Sequence, residues 1–258
     1  MAMNKRSYMV EESELRSLYI DLIQRCLTNT IYEDPPQDQW SGGRYDDGKR
    51  DRGLDWPSKA HTMIGNQRMT NLRKATEYVI TRNIPGDLIE TGVWRGGACI
   101  FMRAILKAYG VTDRVVWCAD SFEGLPKPDI KLFPQDAGDI HYTYEPLRVS
   151  LAEVQSNFAK YGLLDEQVKF LKGWFKETLP EAHIARLSIL RLDGDMYQST
   201  AEGLMYLYDK VTPGGFIIID DYGVLGGCRA ATNDFRRERN ITDPIQDIDG
   251  IGVYWQKS

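Results

Sequence analysis

The stretch that most constrains this chain is residues 87–98, Asp-Leu-Ile-Glu-Thr-Gly-Val-Trp-Arg-Gly-Gly-Ala. It opens, behind Pro85-Gly86, with a short apolar run that reads as a buried strand. It closes with Gly92, Gly96 and Gly97, followed by the helix-period run Cys99, Ile100, Phe101, Ala104, Ile105, Leu106. A strand that turns through glycines into a helix lets backbone approach a ligand at a helix N-terminus. A dinucleotide site asks for Gly-x-Gly-x-x-Gly because its ligand carries a pyrophosphate. Here the pattern is Glu-x-Gly-x-x-x-Gly-Gly, with Glu90 where a phosphate would press. That suits a cationic ligand with a ribose, of which S-adenosylmethionine is the common one; the alternative is a tight strand–helix turn and nothing more.

The rest of the chain repeats the alternation. Residues 1–7 read as a disordered leader. Leu15, Leu18, Tyr19, Leu22, Ile23 and Cys26 recur at helical spacing, and Met63, Met69, Leu72, Ala75, Val79 and Ile80 mark a second helix. Between them, residues 35–58 show neither period and read as a structureless loop, either a lid or a surface insertion; Trp40, Tyr45 and Trp56 favour the lid. Further strands are expected at 115–120, 168–171, 187–192 and 216–219, with helices near 151–161, 199–209 and 227–239. An antiparallel pair joined at Gly250 closes the chain. The expectation is a single α/β domain over 1–258, with N-terminal helices and lid loop in 8–82 and the ligand-binding core in 83–258.

In an open parallel sheet, ligands gather outside the carboxyl ends of the strands. Glu90, Asp120, Asp193, Asp195, Asp220 and Asp221 fall at or near such ends. Asp120, closing the second strand, is placed to hydrogen-bond a ribose, and Gly173, Trp174 and Phe175 stand where a base ring would stack. Asp193, Asp220 and Asp221 have no lysine or histidine near them in sequence. All-oxygen ligation of this kind suits Mg²⁺, whereas zinc asks for histidine or cysteine. The plain alternatives are that the Asp220-Asp221 pair caps the next helix and that Asp193-Gly194 is a turn. His61 and His141 fall in segments that could face the cleft, and His183 reads as a surface residue.

These motifs together resemble the macrocin O-methyltransferase family: Thr62-Met63-Ile64-Gly65, the Glu90–Ala98 string, Ala119-Asp120-Ser121-Phe122, Gly173-Trp174-Phe175, Leu192-Asp193-Gly194-Asp195 and Ile219-Asp220-Asp221-Tyr222. The resemblance implies a class I methyltransferase fold: a Rossmann-like, mostly parallel seven-stranded sheet with a terminal antiparallel hairpin, plus an N-terminal helical cap. It implies S-adenosylmethionine as donor, Mg²⁺ dependence, a homodimer and antibiotic biosynthesis, with the methyl passing to a hydroxyl of a deoxysugar on a natural product. By motif position, Asp193, Asp220 and Asp221 match the metal ligands. Thr62, Met63, Glu90, Thr91, Gly92, Val93, Trp94, Arg95, Gly96, Gly97, Ala98, Asp120, Ser121 and Phe122 match the donor pocket. The segments 35–58 and 124–148 are expected to hold the acceptor.

Asp195 is the candidate base, with Asp193 as ligand; on an extended strand both share one face, so the roles could be exchanged. His141 is the alternative base. A catechol-type metal-dependent methyltransferase, acting on a planar diol, remains a competing reading. A net charge of −5 gives no reason to expect nucleic acid or an anionic membrane as partner. No apolar run reaches membrane-spanning length. The four cysteines show no Cys-x-x-Cys spacing, which points to reduced thiols and a cytoplasmic setting.

Overall fold

The computed structural model describes residues 11–258; the leader expected over 1–7 lies outside them. Three helices come first: α1 (Glu12–Thr28), α2 (Asp47–Arg52) and α3 (Gly65–Thr81). The alternating core follows as β1 (Asp87–Thr91), α4 (Gly97–Ala108), β2 (Val116–Asp120), α5 (Leu151–Lys160), β3 (Val168–Lys172), α6 (Phe175–Thr178), β4 (Leu187–Leu192), α7 (Tyr197–Leu207), β5 (Val211–Ile219) and α8 (Gly226–Glu238). The hairpin β6 (Gln246–Asp247) and β7 (Val253–Gln256) ends it.

The sheet runs β3-β2-β1-β4-β5-β7-β6. β1 to β5 pair in parallel, β7 runs antiparallel to β5, and β6 antiparallel to β7. The strand order reverses between β1 and β4, so a crevice opens above their carboxyl ends. Side chains alternate across the sheet with period two and divide the core in two. Leu88, Val116, Cys118, Ile189 and Ile218 face α1, α3, α4 and α5, packing with Ile20, Leu72, Phe101 and Phe158. Ile89, Leu190, Leu192, Ile217 and Ile219 face the other way, onto Leu204, Leu207, Cys228 and Trp255. α4 is buried from Gly97 through Leu106, where its sequence is apolar except for Arg103, which is paired with Asp165 (2.6 Å).

Two local expectations change. The segment 35–58 is not structureless: it contains α2 and a bridge between Pro36 and Pro57. Arg50, only 1% exposed, orders it by donating to Asp55 (2.9 Å), to Asp34 (2.9 Å) and to the carbonyl of Thr28 (2.9 Å). A charge network has no period, so the pattern of apolar residues does not reveal it. The second change is at β5, which begins at Val211 rather than Phe216. Leu187 pairs with Val211 but Ile189 with Phe216, so residues 212–215 bulge out, with Gly214 at φ +87°.

The four cysteines are free thiols. Among the described residues, no helix is long and apolar enough to cross a membrane.

Candidate active site

The strand tips are tied together just beyond the sheet. Gly92 N–H donates to Ala119 O (2.9 Å), Asp193 N–H to Thr91 O (2.8 Å), Asp220 N–H to Leu192 O (2.9 Å) and Gly173 N–H to Asp120 O (2.9 Å). These bonds hold the first residues after β1, β3, β4 and β5 around one cavity of about 770 Å³. Gly92, at φ +87°, passes so close to the chain leaving β4 that a Cβ there would lie 1.7 Å from Asp193 O. Only glycine fits.

On one side the glycine loop meets Asp120. Its Oδ2 accepts from Val93 N–H (2.7 Å) and its Oδ1 from Phe122 N–H (2.7 Å), so the carboxylate is fixed at the rim. Trp94 and Phe122 take positive φ values of 46° and 56°, unusual for non-glycine residues and held here by the packed loops. Trp94 Nε1 donates to Pro146 O (2.8 Å). The start of α4 is pressed onto the turn before α3, where a Cβ on Gly97 would meet His61 O at 2.4 Å and Thr62 Cβ at 2.6 Å. Of the expected donor residues, Met63, Gly92, Trp94, Asp120, Ser121, Gly173, Trp174 and Phe175 line the cavity. Thr62, Thr91, Val93, Arg95, Gly96, Gly97, Ala98 and Phe122 are not among the lining residues and instead shape the loops behind them. Arg95, for example, donates to the carbonyls of Pro57 (3.2 Å) and Ala60 (3.0 Å).

Glu90 does not reach the cavity, contrary to expectation. It is 2% exposed and lies beneath the loop, where Oε1 accepts from Arg191 (2.6 Å) and Oε2 from the Cys99 thiol (3.0 Å). The cation beside Glu90 is therefore Arg191. Burial, together with the acids nearby, pushes Glu90 up to about 8. Arg191 also donates to Asp193 (2.6 Å) and to Asp220. Asp220 is bonded on its other oxygen by Arg68, which reaches Asp249 as well (3.1 Å). The acid cluster is thus neutralised in part by two arginines; one stands two residues before Asp193 and so shares its face of an extended strand.

Asp193, Asp220 and Asp221 each present a carboxylate oxygen within 4.8 Å of the others. Asp221 Oδ2 is buried and has no hydrogen-bond partner among the described residues. Burial, then the charge of neighbouring acids, raises Asp193 to about 6 and holds Asp221 well above the usual carboxylate range. Asp195 lies outside this trio. At φ +63° it breaks the extended run, so it does not share the face of Asp193. It lines the cavity near His141, and burial raises it to about 7. His141 is held by Asp139, 3.1 Å from Nδ1, which raises the imidazole above its ordinary value. Asp139 is a residue that sequence reasoning misses; its one signal is its place two residues before a cleft histidine. His61 lies off the cavity, bonded to Tyr161 (2.8 Å) and lowered by burial to about 4. The outer wall carries Trp40 and Trp56, stacked edge to face on each other and, through Trp56, on Tyr144.

Residues 16–257 match the family profile described as macrocin-O-methyltransferase (TylF). The chain is 50% identical over 245 residues to the 8-demethyl-8-(2,3-dimethoxy-alpha-L-rhamnosyl)-tetracenomycin-C 4'-O-methyltransferase of Streptomyces olivaceus, covering 94% of each chain. It is 49% identical to the demethyldecarbamoylnovobiocin O-methyltransferase of Streptomyces niveus, again over 94% of each. Among solved structures, the O-methyltransferase NovP superposes with a TM-score of 0.91 at 49% identity, over 94% of this chain and 99% of that one. The chain therefore belongs to the macrocin O-methyltransferase family; it is an S-adenosylmethionine-dependent O-methyltransferase with the class I fold.

Proposed function

We propose that this member of the family methylates a hydroxyl of a deoxysugar, or of a similar vicinal diol, on a glycosylated natural product, with Mg²⁺ held by Asp193, Asp220 and Asp221. The observation that carries the reading is the convergence of those three carboxylates on the wall of the cavity. The residues fit the ion: the ligands are all oxygen, as a hard cation requires, and the partnerless Asp221 Oδ2 is a buried acceptor that a cation would satisfy. The rhamnosyl group in the name of the Streptomyces olivaceus relative supports a sugar as acceptor. As the resemblance implies, the enzyme works as a cytoplasmic homodimer.

Methyl transfer from a sulfonium is an in-line displacement. The C–S electron pair stays on sulfur, the acceptor oxygen forms the new C–O bond, and the hydroxyl proton must leave. Asp195 takes that proton on its carboxylate, the role its position in the cavity supports, and general-base help of this kind contributes about 10²–10⁴-fold. His141, fixed through Nδ1 by Asp139, faces the same space and steadies the charge on Asp195. Asp120 orients the donor by its ribose, while Trp94, Trp174 and Phe175 enclose it. Trp40 and Trp56 cover the acceptor side and exclude water. Bound Mg²⁺ supplies Lewis-acid stabilisation of the developing alkoxide.

A panel of glycosylated natural products and catechols, offered with labelled donor, tests the reading. Label should pass to a glycoside, stop with chelator and return with Mg²⁺, and Asp195→Asn should keep donor binding while losing most turnover. Labelling of catechols alone, or turnover indifferent to chelator, would contradict it.

A further inference from the structure

Arg68 joins three parts of the chain that lie far apart in sequence. It stands on α3 and is 6% exposed. Its Nη1 donates to Asp220 and its Nε to Asp249 (3.1 Å). Its Nη2 reaches back to the carbonyls of Gly53 (3.2 Å) and Arg52 (3.4 Å), at the end of α2. The acceptors come from three segments that each contribute to the wall of the cavity. Gly53 and Leu54 come from the 35–58 segment, Asp220 from the tip of β5, and Asp249 fixes Ile251 by accepting its N–H (3.0 Å). The packing leaves no slack. A Cβ on Gly53 would lie 2.4 Å from Arg68 Nη2, and one on Gly65 would lie 2.3 Å from Gly53 N. A planar guanidinium spreads five donors over a rigid fork and so reaches acceptors set well apart, whereas a lysine ammonium carries its three donors on a single atom.

We propose that Arg68 is a positioning residue that links the Asp220 carboxylate to the order of the 35–58 segment over the cavity. Asp220 Oδ2 holds the guanidinium, and the guanidinium holds the carbonyls at the end of α2. Removing the Asp220 carboxylate by substitution, or placing a metal ion on it beside Arg191 and Arg68, weakens that hold and loosens the segment. The effect is reciprocal: a segment fixed from outside draws Arg68 toward itself and alters how strongly Asp220 binds a cation. The part concerning the cation rests on the Mg²⁺ site proposed above; the link between Asp220 and the segment does not.

Hydrogen exchange of the full-length protein, without any ligand, tests the link. Arg68→Lys should speed exchange of amides in 37–58 about tenfold and Asp220→Asn about three- to fivefold, while β1, β4 and β5 stay protected. The double variant should exchange no faster than Arg68→Lys alone, because the two changes break one connection. If Asp220→Asn leaves 37–58 unchanged, or if the two effects multiply, the link is overturned. Mg²⁺ alone should then speed exchange of 37–58 in the wild type but not in Arg68→Lys. A cycle that behaves as expected with no response to Mg²⁺ supports the link and counts against the metal site instead.

Discussion

Glu90 and Arg191 are direct partners in the register of β1 and β4, and their side chains meet at 2.6 Å in the floor of the site. Because the Glu90 carboxylate is engaged there, Glu90→Gln should leave donor affinity within about threefold and cost about 1.5–3 kcal/mol, the range for a hydrogen bond to a charged group. Calorimetry with S-adenosylmethionine and urea unfolding measure the two quantities. A large loss of donor affinity in a variant of unchanged stability would return Glu90 to the ligand.

Gly92 faces the opposite test, since it has no room at all. Gly92→Ala should cost about 1–3 kcal/mol by overpacking and weaken donor binding at least tenfold, because the loop that meets the donor must move. Gly226 provides the control: its φ is not positive, and a Cβ there would meet nothing within 4 Å. Gly226→Ala should be close to neutral in both measurements.

The Asp139–His141 pair gives a pH signature. The imidazole is held above 6.5 by its hydrogen bond to Asp139, so its contribution to stability is complete below about 6.5 and fades as pH rises through the folded value. Asp139 is held below 3.8, burial notwithstanding, by the hydrogen bonds from His141; its share is present above 3.8 and lost as pH falls through the lowered value. The groups facing the pair are Asp195, by charge, and the ring of Tyr144. Asp139→Asn should therefore lower Tm by about 2–3 °C at pH 6, consistent with a partly exposed pair in a chain of this size, and by clearly less at pH 9. Equal losses at both pH values would contradict the assignment.

Arg50 carries a structural prediction. Its removal leaves Asp34 and Asp55, both buried, without their cation. Arg50→Met should cost about 3–5 kcal/mol, seen first as protease cleavage within 35–58 and then as a lowered Tm. Cleavage at the wild-type rate would mean that Arg50 does not order the segment.

Why these charges escape a reading of the sequence, when the fold does not, has a physical answer. The parallel strands, β3 apart, are short apolar runs with an acid at or just beyond the end, and period and glycine placement are local signals. The convergence of Asp193, Asp220 and Asp221 follows from the rule that strand ends share a rim. Arg191 stands in plain view on the face of Asp193, but a basic residue inside an apolar strand is recognisable as a counter-ion only once the neighbouring strand is known to carry Glu90. Arg68 and Asp249 meet across most of the chain, and Asp195 turns away from Asp193 through a backbone angle that no residue type announces.

The central claim is that the carboxylates of Asp193, Asp220 and Asp221 hold one divalent cation at the cavity. The most direct measurement is calorimetric titration of Mg²⁺ into the wild-type protein and into Asp221→Asn, with no donor or acceptor present. The account predicts one site per chain in the wild type, weakened at least about tenfold when the partnerless carboxylate is lost, the scale at which a directly bound ligand matters. Titrations that show no Mg²⁺ binding to the wild type, or the same affinity in both proteins, would contradict it.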